Sequence, residues 1–442
     1  MSRMPALFLC LLAVFPVAAF PQPRYSSSSL RDLAERRFER VRIEEAGLEQ
    51  SRLTAASART ARFPHLDLTA QYTHISEYGK IEFSIPGLPV PPRTISFGDG
   101  NIAEAAVSVT APLFTGFRLT AAEAAAEERV RMAERTVANA VLEARLATLR
   151  SCRLAQAARA SIAIVDTQRA SLERLLDFQR RRLEQGQAIP FDTLVIAARI
   201  AQLAVERASA EGAFRNALAS IRQLTGLEGP FDIEDEPPGF EIAAETRSLR
   251  ERAEELSIEA FRQRYDLLNL GSAKVLAEHG ATSARAGMYP SIFASASFRF
   301  GRPGVDQVKN EWMDYYTVGI RMDWNLWNWH ADRRAVEAQE LEARKIDLQI
   351  AALRNTIRTR IDMALNDLET RCRTLELLTI QADNERAKLE LTRARLRQGL
   401  ATPTDVVEAE TALTTALLRH EQALCEYLNT RSELGALLGK EW

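Results

Sequence analysis

The chain has 442 residues, 57 Lys+Arg against 59 Asp+Glu, and 46% hydrophobic residues, enough length and apolar material for a large buried core. A formal net charge of −2 leaves no electrostatic footprint for nucleic acid. Twenty Gly and 17 Pro exclude collagen-like and low-complexity disorder, and five dispersed His with four Cys argue against a multi-ligand metal centre.

Residues 1–19 read as a secretory signal peptide. Arg3 precedes an apolar run from Ala6 to Phe15, and Val17-Ala18-Ala19 offers small residues for cleavage before Phe20. A buried N-terminal helix or an uncleaved anchor is the other reading; Pro16 and the shortness of the run oppose the anchor. Cys10 lies inside the run rather than after it, a poor position for lipid attachment. No later stretch reaches ~18 uncharged apolar residues, so no transmembrane helix is expected. Cys152, Cys372 and Cys425 each fall in an Ala/Leu-rich helical stretch, where a small buried thiol is favoured over a disulfide.

A helix is expected over about 30–62, running up to Pro64. Period-two alternation follows: Leu66, Leu68, Ala70 and Tyr72 interleave with Asp67, Thr69, Gln71 and Thr73. After a Pro-rich loop from Ser84 to Arg93, a return strand carries Ala105, Val107, Val109 and Ala111 between Ser108 and Thr110. The spacing predicts a hairpin over about 64–112, with strands of about nine residues. A Pro-free helix over about 118–185 opens with Ala121 to Glu128, strong helix formers. A Gly turn at 186–190 ends it, Gly serving as C-cap and Pro190 restarting a helix that descends to Gly226. Residues 227–245, with Pro230, Pro237 and Pro238, read as a linker.

The same order then recurs. A helix over about 246–287 leads to Pro290 and a hairpin over about 290–326. Ile292, Ala294, Ala296 and Phe298 form one face of its first strand, and Tyr316, Val318, Ile320, Met322 and Trp324 one face of its second. Phe293 interrupts the polar side of Ser291, Ser295, Ser297 and Arg299. A long helix over about 331–398, a Gly turn at 399–403 and a final helix complete the unit. Leu413, Leu417, His420, Leu424, Tyr427, Leu434 and Leu438 on that helix trace a coiled-coil seam.

Order and residues together indicate a duplication. Leu183-Glu184-Gln185-Gly186-Gln187-Ala188-Ile189-Pro190-Phe191-Asp192 matches Leu396-Arg397-Gln398-Gly399-Leu400-Ala401-Thr402-Pro403-Thr404-Asp405 in Leu, Gln, Gly, Ala, Pro and Asp, at an offset of 213. The offset also aligns Leu113-Phe114 with Leu326-Trp327, Phe214 with Tyr427, and Gly226 with Gly439. Pro64 and Pro290 lie 226 apart, so the first hairpin holds 13 extra residues. The repeats are expected at 20–226 and 246–442.

Apolar/polar strands of this length suit a tilted outer-membrane barrel, and equally a soluble sheet packed on one face. Four strands cannot close a barrel, which takes about eight, and an open edge cannot sit in lipid. Oligomerisation is therefore expected. Two copies would enclose a filled interior; three would make twelve strands with room for a channel. Each long helix of some 68 residues would span ~100 Å. The expected fold class is mainly α with a small β part: a duplicated unit of long antiparallel coiled-coil helices plus two β-hairpins, three copies forming an α-barrel and a 12-stranded outer-membrane β-barrel.

The order helix, hairpin, long helix, Gly turn, helix, twice over, resembles the TolC family of outer-membrane efflux proteins across nearly the whole mature chain. The segment Gly399-Leu400-Ala401-Thr402-Pro403-Thr404-Asp405-Val406-Val407-Glu408-Ala409 and its copy around Gly186 carry the likeness most. The resemblance implies a homotrimeric exit duct for exported substrates in a tripartite efflux or type I secretion system. The duct would sit in outer-membrane lipid and dock a periplasmic adaptor (membrane fusion) protein and an inner-membrane pump. It further implies adaptor contact at Gly186, Gln187, Gly399 and Leu400, and a periplasmic aperture lined by Asp192, Asp405 and Glu408. The Tyr and Arg that complete the aperture network in the best-known member fall at Leu396 and Ala401 here.

The other reading of Asp405 is a helix cap, because it stands two residues past Pro403. Trp324, Trp327 and Trp329 close the fourth strand as a membrane-interface aromatic cluster or as packing of the strand-to-helix junction. No HExxH, GxSxG, Walker A or strand-borne GxGxxG is present, so neither an enzyme nor a cofactor is expected. A periplasmic coiled-coil adaptor or scaffold of an export system is the alternative function.

Overall fold

A computed structural model describes residues 23–77, 79–83, 93–96, 100–306 and 309–442. The expected signal peptide at 1–19 and the Pro-rich loop over 84–92 lie outside the described residues. The chain is mainly helical with a small β part. Its contacts fall into two compact units, and the long helices α3 (Arg118–Glu184) and α8 (Ala331–Arg397) contribute to both.

One unit comprises the segment through Phe38 together with Ala144–Glu245 and Arg371–Asn429. It holds α1 (Ser27–Arg37), α4 (Pro190–Thr225) and most of α9 (Pro403–Leu437). Its core is built in stretches. Leu30, Cys152, Ala155, Ala217 and Ile221 pack together, followed by Val165, Leu172, Leu176, Ile196, Leu203 and Val407. Each buried Leu or Ile contributes about 1.5–3 kcal/mol by leaving water. The stretch expected to be a linker is part of this core. Phe231 and Ile233 are 4% and 1% exposed, and the short strand β6 (Asp232–Ile233) pairs in parallel with β1 (Arg24–Tyr25). Arg159 donates to Ile233 O at 2.8 Å and also pairs with Asp232. Alternating apolar residues at 231 and 233 were the available signal; flanking prolines masked it.

The second unit comprises Glu39–Glu143, Thr246–Thr370 and Thr430–Trp442. It contains α2 (Glu39–Thr60) and a sheet of four antiparallel strands. These are β2 (His65–His74), β5 (Asn101–Phe114), β7 (Ser291–Arg302) and β8 (Met313–Asp323), in the order β2-β5-β7-β8. The central pairing β5–β7 joins the two hairpins. The strands have 10, 14, 12 and 11 residues, longer than the nine expected, because pairing continues past the alternating stretches and over a bulge at Pro112/Phe114. A second, short pair, β3 (Lys80–Phe83) with β4 (Arg93–Ser96), extends the first hairpin. The sequence alone predicts loop there, since so few residues carry no visible period.

The helices leading to the strands are not continuous as expected. The first breaks at Phe38, with ψ 125°. The second is three helices: α5 (Ile242–Glu251), α6 (Ala253–Gln263) and α7 (Tyr265–Arg285), with Arg264 at ψ 124°. None of the three breaks, at Phe38, Arg252 and Arg264, has a Pro or Gly at its hinge, so local chemistry does not announce them. At Arg264 and Phe38 the cause is tertiary. Arg264 turns out of the helix to donate to Leu437 O (3.2 Å) at the end of α9, and Gly439 approaches so closely that a Cβ there would meet Gln263 O at 3.1 Å. At the other break, Arg37 flanks Gly226, the left-handed C-cap of α4.

Candidate functional site

Two sets of residues stand out: the turns that link the long helices to their partners, and the sheet with its junctions. At the first turn Gly186 adopts φ 70°, donates to Leu183 O (3.0 Å), and is followed by Gln187 donating to Arg182 O (2.8 Å). At the second turn Gly399 adopts φ 75° and donates to Leu396 O (3.0 Å), with Leu400 donating to Arg395 O (2.9 Å). Both are Schellman-type ends, which need a residue free of left-handed strain. Gly186, Gln187, Gly399 and Leu400 are all exposed.

The acidic residues after the turns differ. Thr402 caps α9: its hydroxyl accepts from Asp405 N–H (3.2 Å), and the Asp405 carboxylate accepts from Thr402 N–H (2.7 Å). This capping box is the role the sequence offered as the alternative to the aperture. The backbone hydrogen bond from Thr402, then that residue's side chain, hold the Asp405 carboxyl below the usual carboxylate range. At α4 the cap is Ile189, which has no side chain to accept, and Asp192 sits in the first turn. Glu408 is exposed on α9.

One buried ionic cluster near the second turn was not read from sequence. Glu410 is 1% exposed; it pairs with Arg393 of α8 and accepts from Ser171 of α3 at 2.8 Å. Arg393 also donates to Ser171 at 2.5 Å. The available signal was a Glu on the apolar stripe of α9, between Ala409 and Leu413.

In the sheet, register puts apolar residues opposite apolar ones. Leu68 faces Val107, Val107 faces Phe298, and Phe298 faces Tyr316. Leu66, Val109, Ala296 and Val318 form the next row. Across these rows one face is therefore apolar, and it is open: Leu68, Phe298, Tyr316 and Val318 are 74%, 51%, 78% and 77% exposed. The opposite face is polar. Ser297 bonds Thr317 (2.8 Å), Arg299 pairs with Glu104 (3.0 Å), and Arg321 with Asp323 (2.9 Å). Phe293, the apparent breach in that face, lies beneath the Arg321 guanidinium, 5.9 Å from its ring centroid. Among the described residues, β2 and β8 each pair on one side only.

The three Trp residues follow β8 rather than ending it. Trp324 donates to Met288 O at 3.2 Å, Trp327 packs edge-on with Trp329 and His330, and all three indoles are more than half exposed. Trp329 and His330 are both left-handed (φ 56° and 61°). Cys152, Cys372 and Cys425 are buried with free thiols, and burial pushes Cys152 up to about 12. No metal-ligating group of three or more His, Cys, Asp or Glu is found among the described residues, nor a helix long and apolar enough to cross a membrane.

Solved structures with this arrangement are outer-membrane channels. CusC superposes with a TM-score of 0.76 at 13% identity, over 96% of this chain and 98% of that one. The Campylobacter jejuni CmeC channel gives 0.71 at 13%, over 99% and 93%. The open-state Neisseria gonorrhoeae MtrE channel gives 0.71 at 16%, over 95% and 89%. These identities establish the fold. No curated protein sequence matches the chain. The family model described as outer membrane efflux protein matches residues 30–227 and 256–440, most of both halves. The chain therefore belongs to the outer membrane efflux protein family and is an outer-membrane protein.

Proposed function

We propose that three copies of the chain form the exit duct of a tripartite efflux or type I secretion system, conducting exported substrates passively across the periplasm and outer membrane. The sheet carries this reading. Its strands of 10 to 14 residues are long enough to cross a tilted barrel, with one face apolar across its central rows for lipid and the other mainly polar for a wet lumen. Each copy offers edges at β2 and β8 that lipid cannot leave unpaired. Three four-stranded sheets close as twelve strands, wide enough for a channel. The helical part then extends into the periplasm, and the turns at Gly186–Gln187 and Gly399–Leu400 meet a periplasmic adaptor that links the duct to an inner-membrane pump. Trp324, Trp327 and Trp329 lie at the level where indoles favour the membrane interface.

In this reading, Asp192, Asp405 and Glu408 ring the narrow periplasmic end and favour cations. Asp405 is committed to its cap, so Glu408 and Asp192 supply most of the effect. Single-channel conductance of detergent-extracted protein in a planar bilayer tests both levels. Stable cation-selective steps that lose selectivity in Asp192→Ala plus Glu408→Ala support duct and aperture. Unchanged selectivity removes the aperture and keeps the duct. Protein that purifies without detergent and conducts nothing removes the duct and favours a periplasmic scaffold.

A further inference from the structure

Within the first unit, α3, α4 and α9 enclose a groove of about 670 Å³. Ala157 and Ser161 of α3 form its floor, Val205 and Ala210 of α4 one wall, and Leu418 and Cys425 of α9 the other. The lining is mainly apolar. Ala158 and Cys425 at the bottom are both 7% exposed, whereas Leu154 and Val205 at the rims are 48% and 69% exposed. Along α3 the groove runs from Arg150 to Val165, a rise of about 22 Å.

Its two ends differ in chemistry. Val165 packs with Leu203 and Leu418 at one end. At the other, Arg153 donates to Leu428 O, which brings Asn429 beside the Arg150 end. The carboxylates of the groove already have partners. Glu206 pairs with Arg199 (2.9 Å), and Glu426 pairs with Arg371 and accepts from Gln422 (3.0 Å). Arg150 has no hydrogen-bond or ion-pair partner among the described residues, and with Arg153 it acts on the Cys425 thiol. Asn429 donates its amide N–H to Cys425 Sγ (3.6 Å), while its Oδ1 is buried with no partner among the described residues.

We propose that this groove binds an amphipathic anion: an elongated apolar body lies between α3, α4 and α9, and a carboxylate or sulfate head meets the Arg150 guanidinium. A charge-assisted hydrogen bond of that kind is strong, and water carried with the head satisfies Asn429 Oδ1. A neutral chain would leave the Arg150 charge unused, and a cationic head would face two arginines with the nearest carboxylate already taken.

The placement of the site rests on the duct reading above and adds a substrate class to it. Cys152 and Ala155 of α3 pack with Leu30 of α1 and with Phe231 and Ile233, and Arg159 donates to Ile233 O. At about 3.6 residues per turn, Arg150, Leu154, Ala157, Ser161 and Val165 point to the opposite side of the helix. A ring of helices keeps its bore open for cargo, so α1 and the β1–β6 pair stand outside it and the groove opens inside. Val165 stands 21 residues before Gly186, about 30 Å along the helix, so the groove lies well away from the narrow end. It is a resting site for amphipathic anions among the exported substrates.

Photolabelling of the full chain in native outer-membrane fragments tests the site, with dodecanoate carrying a diazirine as the probe. Mass spectrometry is expected to place adducts within 157–165 and 205–213. Excess dodecyl sulfate should remove them, and dodecyltrimethylammonium should not. Arg150→Gln, at an exposed position, should lower labelling at limiting probe about tenfold through the loss of a hydrogen bond to a charge. Ala210→Trp, which fills the groove, should abolish it. No adducts there, or adducts that ignore both variants, would overturn the site. Equal competition by the cationic amphiphile would overturn the anionic head. Planar bilayers test the bore separately: dodecyl sulfate below its micelle concentration should interrupt the current of the parent and not of Ala210→Trp. Protein that labels while its current is unaffected would overturn the inward placement and leave the site. Protein that labels and forms no channel would overturn the duct instead.

Discussion

The two helix tips share a C-cap and differ in how the following helix is capped and tied. Gly186 and Gly399 end α3 and α8 with the same pair of hydrogen bonds. Beyond them, α9 starts from a Thr402–Asp405 capping box, while α4 starts from Ile189 with no side-chain cap. Buried charge is distributed differently too. In the second tip, Arg393 ties α8 to Glu410 of α9 and to Ser171 of α3. The positions 213 earlier are Arg180 and Ala197, which cannot form that pair. In the first tip, the buried pair is Arg199 with Glu206 (2.9 Å), both on α4. A turn is dictated by backbone geometry and favours Gly, whereas a helix start and an ion pair have several equivalent solutions. The second tip is the more strongly tied, and a carboxylate there cannot be assigned from spacing alone.

Changes that separate the tips should rank accordingly. The largest effect is expected from Arg393→Ala, which strands the Glu410 carboxylate in the core at a cost of about 3 kcal/mol; Arg180→Ala should change little. Amide exchange at the two tips reads both, and equal effects would erase the distinction. Next, Gly186→Ala and Gly399→Ala should each cost about 1 kcal/mol. No atom lies within 4 Å of a Cβ at either position, so the cost is purely left-handed strain and should be equal at both tips.

Thr402→Ala should cost about 1 kcal/mol as a lost cap, read by exchange over the first turn of α9. Thr402→Ala keeps the backbone N–H that holds Asp405, so it is Asp405→Asn that should remove an acid sensitivity. Because the folded Asp405 pKa is depressed, its stabilising contribution is present above the ordinary carboxylate range and is lost as pH falls through the folded value. The first turn of α9 should therefore loosen with acid in the parent and not in Asp405→Asn, after correction for intrinsic exchange. The smallest expected effect is chemical. With its thiol pushed up to about 12 by burial, Cys152 should resist maleimide at pH ~8 until the chain unfolds.

The readings from sequence held where one residue type or one period has a single structural solution. Gly186 and Gly399 stand at left-handed C-caps, and the alternation through Leu66–Thr73 lies within β2. The reading of Asp405 stayed open because an acidic residue in a first turn suits a cap and an aperture equally. Glu410 was missed because its partners, Arg393 and Ser171, stand on two other helices, 17 and 239 residues away.

By itself, the sequence determined where the long helices and the four long strands run and which face of each of those strands is apolar, because periods of 3.6 and 2 are written in successive residues. It also determined where the long helices turn, because only Gly enters the left-handed region without strain. Tertiary structure decided the rest. The breaks at Phe38 and Arg264 lie beside the helix ends at Gly226 and Gly439 and carry no breaker of their own. Phe231 and Ile233 enter the core because β6 finds β1 some two hundred residues away. Which strands meet in the centre and which remain as edges follows from the β5–β7 pairing, a contact between residues nearly two hundred positions apart. Such choices rest on the free energy of long-range packing, which no local window of the chain contains.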